Sequence, residues 1–120
     1  MATILIVEDE VFIRQNAGWT IEDLGHDTLS ACDLAEALVH LSGSGHIDGL
    51  FVDIRLHALA HGGYDIANQA TRLRPDLRVL YTSGSYLTDD MQSLFVRGGQ
   101  FLQKPYSPYQ LEFSIAALLQ

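Results

Sequence analysis

Residues 49–53 read GLFVD, an apolar run that ends in an acidic residue. Residues 3–9 read TILIVED and repeat the arrangement, because Glu8 and Asp9 directly follow an apolar run. Short runs this rich in Ile, Leu, Val and Phe are typical of strands that are buried on both faces of a parallel sheet. The two stretches therefore predict buried strands over Thr3–Val7 and Gly49–Val52, with carboxylates at their C-terminal ends.

Three further runs complete a set of five predicted strands, namely His26–Cys32, Leu77–Thr82 and Gln100–Gln103. Longer segments with helix-start signals separate the runs. Asp33, Thr88 and Ser107 are residues of the kind that caps a helix N-terminus, and a proline follows Ser107. Gly98 and Gly99 predict the end of the helix that begins after Thr88. Strands and helices that alternate in this way predict a doubly wound α/β fold with a five-stranded parallel sheet and five flanking helices.

Length and composition favour a single domain over residues 1–120. The 15 acidic and 7 basic residues give a net charge of −8, the wrong sign for a surface that binds nucleic acid. No apolar run approaches the roughly 20 residues of a membrane span, and the first strand follows Met1 without a basic leader. The single cysteine, Cys32, cannot form an internal disulfide, and we interpret it as a small buried apolar residue. We therefore expect a cytoplasmic domain without direct contact to nucleic acid or membrane.

Chemically active side chains follow four of the predicted strands: Glu8 and Asp9, then Asp53, Ser83 and Lys104. Ligands of doubly wound sheets bind beyond the carboxyl ends of the strands, where these residues lie. Carboxylates gathered at one edge repel each other unless they share a cation, and Mg²⁺ prefers oxygen ligands together with phosphate. A lysine and a hydroxyl suit phosphoryl oxygens. The set predicts a site for phosphoryl transfer, which needs positioning and neutralisation of charge.

Four motifs in the same order and spacing resemble the signature of response-regulator receiver domains. They are VED at 7–9, FVD at 51–53, LYTSG at 80–84 and FLQKPY at 101–106. The resemblance covers essentially the whole chain and implies a flavodoxin-like fold. It also implies that the phosphoryl donor is a histidine kinase or a histidine phosphotransfer protein.

The resemblance implies roles for single residues in phosphoryl transfer. Asp53 would attack the phosphohistidine and carry the phosphoryl group, while Lys104 pairs with that group and Ser83 donates a hydrogen bond to it. Thr82 is the rival to Ser83; the glycine after Ser83, which leaves room for the phosphoryl group, favours Ser83. Phe101 stands at the position of an aromatic switch that turns inward when Ser83 moves.

The resemblance also implies a set of metal ligands. Asp9 and Asp53 would ligate Mg²⁺, and Glu8 would act directly or through a water molecule. Arg55 would offer its main-chain carbonyl oxygen. These residues form the expected magnesium site.

The chain departs from the family pattern after the expected acceptor. The segment Ile54–Gly63 lacks the usual proline and has two extra residues before its glycine. His57 and His61 lie in this segment, and we interpret them as exposed loop histidines because no third zinc ligand accompanies them. Phe101 also lacks the hydroxyl of the tyrosine found in many relatives, so its switching would depend on ring packing alone.

Three other functions fit parts of the pattern. A non-phosphorylated, receiver-like protein-binding module would fit the altered segment after Asp53. A phosphatase with an aspartyl-phosphate intermediate would need an acid two residues after Asp53, where the chain has Arg55. A flavin-binding carrier would need a hydroxyl- and glycine-rich loop after the first strand, and this chain lacks such a loop there. We therefore expect a signalling relay that is not an enzyme beyond its own Mg²⁺-dependent phosphorylation and dephosphorylation.

Aromatic residues predict two contact surfaces. Tyr106, Tyr109 and Phe113 predict a homodimer through the face of the fourth helix, fifth strand and fifth helix. Phe12 and Trp19, seven residues apart in the first helix, are expected to help dock the histidine-bearing helix of the partner. The alternative is that these rings lie flat on the surface or against neighbouring loops.

Overall fold

The computed structural model describes residues 1–56 and 62–120, in which five strands alternate with five helices. The strands are β1 Thr3–Val7, β2 Asp27–Ala31, β3 Gly49–Asp53, β4 Arg78–Ser83 and β5 Gln100–Gln103. The helices are α1 Val11–Asp23, α2 Leu34–Leu41, α3 Gly62–Leu73, α4 Asp89–Ser93 and α5 Pro108–Leu118. None of these helices combines the length and apolarity that a membrane span requires.

All five strands are parallel and lie in the order β2-β1-β3-β4-β5. The chain moves from β1 outward to β2 and then returns to the other side of β1 for β3. The order therefore reverses between β1 and β3, and their C-terminal ends lie side by side. The prediction of a doubly wound, flavodoxin-like parallel sheet is confirmed.

Two apolar layers hold the helices against the sheet because side chains alternate along each strand. In β1, Ile4 and Ile6 face α1 and α5, where Ile21 and Ile115 pack against them. The residues that alternate with them along the strand, such as Leu5, point to the opposite face of the sheet and pack against α2 and α3. Nearly all of β1, β3 and β4 is buried, which explains why these strands are continuous apolar runs in the sequence.

The predicted helix starts are present. The side chains of Asp33 and Thr88 accept hydrogen bonds from backbone N–H groups of the first turns of α2 and α4. Ser107 forms a reciprocal capping box with Gln110 at the start of α5. These local contacts fix where three of the helices begin.

The fourth helix ends earlier than predicted, at Ser93 instead of near Gly98. The side chain of Phe95 turns inward and stacks on Tyr81, with ring centroids 4.2 Å apart. The N–H of Val96 donates to the Tyr81 hydroxyl at 2.9 Å, so it is withdrawn from the helical ladder. A contact with a distant strand therefore stops the helix, and none of the five described residues of α4 is buried.

Two other expectations have different outcomes. Cys32 is half-buried instead of buried, because it follows the edge strand β2 and leads into the cap of α2. Residues 57–61, which include His57 and His61 and much of the segment with the two extra residues, lie outside the described residues. The interpretation of those histidines stays a prediction.

Removal of the Tyr81 hydroxyl should destabilise the fold. Tyr81 is fully buried, and Tyr81→Phe leaves the Val96 N–H without its acceptor. We expect the free energy of unfolding in urea to fall by about 1 kcal/mol. Tyr86 is 84% exposed, so the same change there is the matched control and should leave the free energy of unfolding unchanged. Equal stability of the two variants would contradict this role of Tyr81.

Candidate functional site

The sheet brings the ends of four strands together. Glu8 directly follows β1, which pairs with β3, and Asp53 is the last residue of β3. Asp53 lies opposite Thr82 of β4, and Ser83 ends that strand. Lys104 follows β5, and its N–H donates to the Ser83 carbonyl at 2.8 Å. The predicted set of acids, hydroxyl and lysine is therefore assembled at one edge of the sheet.

A lysine ammonium bridges two buried carboxylates at this edge. The Lys104 Nζ lies 2.7 Å from Glu8 Oε1 and 3.1 Å from Asp53 Oδ2. Glu8 is 4% exposed and Asp53 is 6% exposed, so both charges are shielded from water. Lys104 is the only lysine of the chain, since the other six basic residues are arginines. One ammonium thus faces two carboxylates.

Burial and the neighbouring charges together shift two pKa values at this edge. Burial raises the pKa of Glu8 to about 7, Asp53 adds to the rise, and Lys104 opposes it. Burial alone would lower the pKa of Lys104, but the neighbouring carboxylates Glu8 and Asp53 outweigh it, so the pKa is raised. Lys104 therefore stays protonated, while Glu8 can take up a proton near neutral pH.

The three acids at this edge fit a divalent cation. Glu8, Asp9 and Asp53 each offer a carboxylate oxygen, and these atoms lie within 4.8 Å of one another. An all-oxygen donor set suits a hard ion. The N–H of Arg55 donates to Asp53 Oδ1 at 3.3 Å, which keeps the backbone after β3 beside the acids. The structure thus brings together the three carboxylates predicted as metal ligands, and the backbone N–H of Arg55, the fourth predicted residue, contacts one of them.

The two hydroxyl residues at the end of β4 point to opposite faces of the sheet. Thr82 donates its hydroxyl proton to the Leu102 carbonyl at 2.7 Å. Ser83 Oγ instead accepts from the Ser85 N–H at 3.0 Å, which leaves its own proton able to serve another acceptor. Of the two candidates, Ser83 is thus the better placed to donate.

Phe101 lies on the same face as Ser83. It pairs in register with Tyr81, two residues before Ser83. Its half-buried ring stacks on Phe95, with centroids 6.3 Å apart. The ring predicted as the switch is therefore connected through Phe95 to the end of α4.

Gly63 packs directly against the backbone of Asp53. A Cβ atom at Gly63 would lie only 2.3 Å from the Asp53 carbonyl oxygen, so only glycine fits there without a shift of the backbone. The Gly63 N–H donates to the Ile54 carbonyl at 2.8 Å. The start of α3 is thereby fixed to the strand end that carries the acid.

Sequence reasoning missed the place of Tyr106. We assigned it to an association surface, but its half-buried ring meets Phe51 edge-on with centroids 5.9 Å apart. Burial, with Glu8 and Asp53 nearby, raises the pKa of Tyr106 to about 12, so its hydroxyl stays neutral. Its position directly after the Lys104-Pro105 pair is the signal that could have placed it at the site.

Two neighbouring pockets between α1 and the segment after β5 share Asn16 and Tyr106 as lining residues, and we call them together the groove. The first pocket, of about 500 Å³, is also lined by Ile13 and Lys104. The second pocket is also lined by Trp19 and Pro108. The groove is therefore lined both by the lysine of the site and by the exposed Trp19 of α1.

Comparison with known proteins identifies relatives of the whole chain. A family model described as the response regulator receiver domain matches residues 4–116. The response regulator SaeR of Staphylococcus aureus is 29% identical over 120 residues, which cover 99% of this chain and 51% of SaeR. The probable transcriptional regulator ycf27 of Porphyridium aerugineum is 26% identical over 117 residues, which cover 98% of this chain and 48% of that protein.

Solved structures agree with the family match. The crystal structure of a response regulator receiver protein from Sinorhizobium medicae WSM419 has a TM-score of 0.86 and 28% identity, covering 98% of this chain and 94% of that one. The chain spans about half the length of the curated relatives it matches. Because the family model covers nearly all of the sequence and the fold agrees with it, the chain belongs to the family of response-regulator receiver domains.

Proposed function

We propose that this receiver domain takes up a phosphoryl group on Asp53 from a phosphohistidine of a histidine kinase or phosphotransfer protein. The observation that carries the proposal is the contact of Lys104 with both Asp53 and Glu8 in a shielded position. A carboxylate beside a fixed ammonium can receive a negatively charged group, because the positive charge offsets the charge that arrives.

The transfer needs few atoms of the protein. A carboxylate oxygen of Asp53 forms the new bond to phosphorus while the phosphorus–nitrogen bond of the phosphohistidine breaks. The donor imidazole leaves with the electron pair and takes up a proton from solvent. Lys104 pairs with one phosphoryl oxygen, and the Ser83 hydroxyl donates to another.

Glu8, Asp9 and Asp53 would hold Mg²⁺, with the main-chain carbonyl of Arg55 as a further ligand. When bound, the ion neutralises the negative charge that the carboxylates and the phosphoryl oxygens bring together. Lys104 alone balances only one of the two buried carboxylates that it contacts. A second cation is therefore consistent with the charges at this edge.

The signal would leave the site through Ser83 and Phe101. Movement of Ser83 toward a phosphoryl group frees space on the face that it shares with Phe101. The Phe101 ring contacts Phe95, which closes α4, and that helix has little attachment of its own. Phosphorylation would thus shift the surface formed by α4, β5 and α5 between two arrangements. No specific observation favours a non-phosphorylated binding module.

Two exposed aromatic pairs would provide the partner surfaces. Phe12 and Trp19 are exposed on α1, and Trp19 lines the groove, as does Lys104. A histidine-bearing helix in this groove would bring its imidazole toward Asp53. Tyr109 and Phe113 are exposed on α5, on the face assigned to a homodimer.

We place the phosphoryl transfer in the cytoplasm, where Cys32 stays reduced.

Phosphorylation by acetyl phosphate tests the acceptor. We expect intact mass spectrometry to show one added phosphoryl group on the wild type in the presence of Mg²⁺. Asp53→Asn removes the nucleophile and should abolish the added mass. Asp76→Asn is the matched control at an exposed position and should be phosphorylated like the wild type. The same added mass on Asp53→Asn would contradict the assignment.

The pH dependence of Mg²⁺ binding tests the role of Glu8. In the folded state the pKa of Glu8 is about 7, which lies above its ordinary value of 4.5. The protonated form of Glu8 therefore stabilises the folded, metal-free domain fully below pH 4.5, and this stabilisation is lost as the pH rises from 4.5 to 7. Glu8 would have to lose this proton before it could serve as a ligand to Mg²⁺. We expect the affinity measured by calorimetry to rise about tenfold between about pH 6 and about pH 8.

Glu8→Gln cannot lose that proton and should bind Mg²⁺ with a much weaker dependence on pH. Glu112→Gln makes the same change at a half-buried position of α5, outside the set of metal-ligand candidates, and should keep the pH dependence of the wild type. An equally steep dependence in Glu8→Gln would show that another group titrates with the metal.

The two aromatic pairs should have separable roles. Trp19→Ala should slow phosphotransfer from a phosphorylated histidine phosphotransfer protein several-fold, because it removes an anchor of the docked helix. Phe113→Ala should instead weaken dimerisation in sedimentation equilibrium. Each variant is the control for the other, since Trp19→Ala should dimerise normally and Phe113→Ala should accept phosphate normally. If Trp19→Ala weakened dimerisation and Phe113→Ala slowed phosphotransfer, the assignment of the two surfaces would be reversed.

A further inference from the structure

Gln103, the last residue of β5, reaches across to the loop that follows Ser83. Its side-chain Nε2 donates to the carbonyl oxygen of Gly84 at 2.9 Å and to that of Lys104 at 3.2 Å. Both partners are acceptors, so only the amide –NH₂ group can face them, and the orientation of the amide follows from the contacts. Gln103 also lies directly opposite Ser83 in the pairing of β4 with β5.

The two hydrogen bonds at this loop share one peptide group. The Gly84 carbonyl and the Ser85 N–H belong to the same planar unit. Gln103 binds the carbonyl end of that unit, and the N–H end donates to Ser83 Oγ at 3.0 Å. Because the unit is rigid, it cannot rotate unless both bonds break. Gln103 therefore fixes the orientation of the group that holds the Ser83 hydroxyl.

Within the part of the chain that the structure describes, the rest of this loop has few other restraints. Residues 84–88 are all exposed, and the side chain of Thr88 caps the short helix α4. An exposed segment with little packing opens at low cost in free energy. One hydrogen bond from the strand end can thus set the position of the loop next to the site.

We propose that Gln103 is a positioning residue, a latch that holds the Gly84–Ser85 peptide and the Ser83 hydroxyl in the arrangement of the unphosphorylated domain. The latch rests on the proposed function in one respect, namely that Ser83 moves toward a phosphoryl group on Asp53. That movement rotates the Gly84–Ser85 peptide and breaks the bond from Gln103. Gln103 thereby opposes phosphoryl uptake and shifts the balance of the two arrangements.

Gln103→Met tests the latch, because methionine keeps the length of the side chain and removes the amide. Gln100→Met is the matched control at the other end of the same strand. We expect hydrogen exchange of the Ser85 amide, followed by NMR, to become about tenfold faster in Gln103→Met only. The amides within β4 should keep their exchange rates, which shows that the variant is folded. Unchanged exchange of the Ser85 amide would overturn the latch.

The coupling to the site is tested with beryllium fluoride, a phosphoryl mimic, in the presence of Mg²⁺. The proposal breaks only the Gln103–Gly84 hydrogen bond when the mimic binds, so its loss from the unliganded arrangement should tighten binding of the mimic roughly three- to tenfold in Gln103→Met and not in Gln100→Met. Faster exchange at Ser85 with unchanged affinity would overturn the effect on Ser83. Failure of the wild type to bind the mimic would instead contradict phosphoryl uptake itself, while the Ser85 exchange would still report on the hydrogen bond.

Discussion

The ammonium of Lys104 between the carboxylates of Glu8 and Asp53 holds three strand ends in one site. Buried charges are costly unless they are paired, so this contact constrains where β1, β3 and β5 end relative to one another. The strand order permits it because β1 and β3 are neighbours, while β4 carries β5 close enough for Lys104 to reach across. The apolar layers on both faces of the sheet fix the strands and therefore these distances.

Much of this fold is visible in the sequence because its strands are buried on both faces. The run from Thr3 to Val7 has no polar alternation after Thr3, and the cap at Asp33 lies within three residues of its partner. The end of α4 could not be read in this way. It depends on Tyr81, which lies fourteen residues before Phe95 along the chain and meets it only after β4 has entered the sheet. Tertiary contact there overrides the local glycine signal.

In the candidate site, too, some residues could be predicted from the local sequence, while the roles of others depend on contacts between distant parts of the chain. Glu8, Asp53 and Lys104 could be found because parallel strands place their C-terminal ends together, whatever the packing around them. The role of Gln103 could not, because it depends on which carbonyl oxygens lie beside its side chain in space. Tyr106 follows the Lys104-Pro105 pair, which is a local signal for the site, but its contact with Phe51 is visible only in the fold. The preference for Ser83 over Thr82 rests in the sequence on the glycine that follows Ser83. The structure adds a second reason, because the Thr82 hydroxyl already donates to the Leu102 carbonyl.

The presence of a single lysine in this domain has a practical consequence. Six of the seven basic side chains are guanidinium groups, which leaves Lys104 as the one side-chain amine, and it is only 20% exposed. Reagents that acylate amines therefore meet a single side-chain target, which is bound to two carboxylates. The rate at which such a reagent modifies Lys104 reports how often this pairing opens, without any label attached elsewhere on the surface.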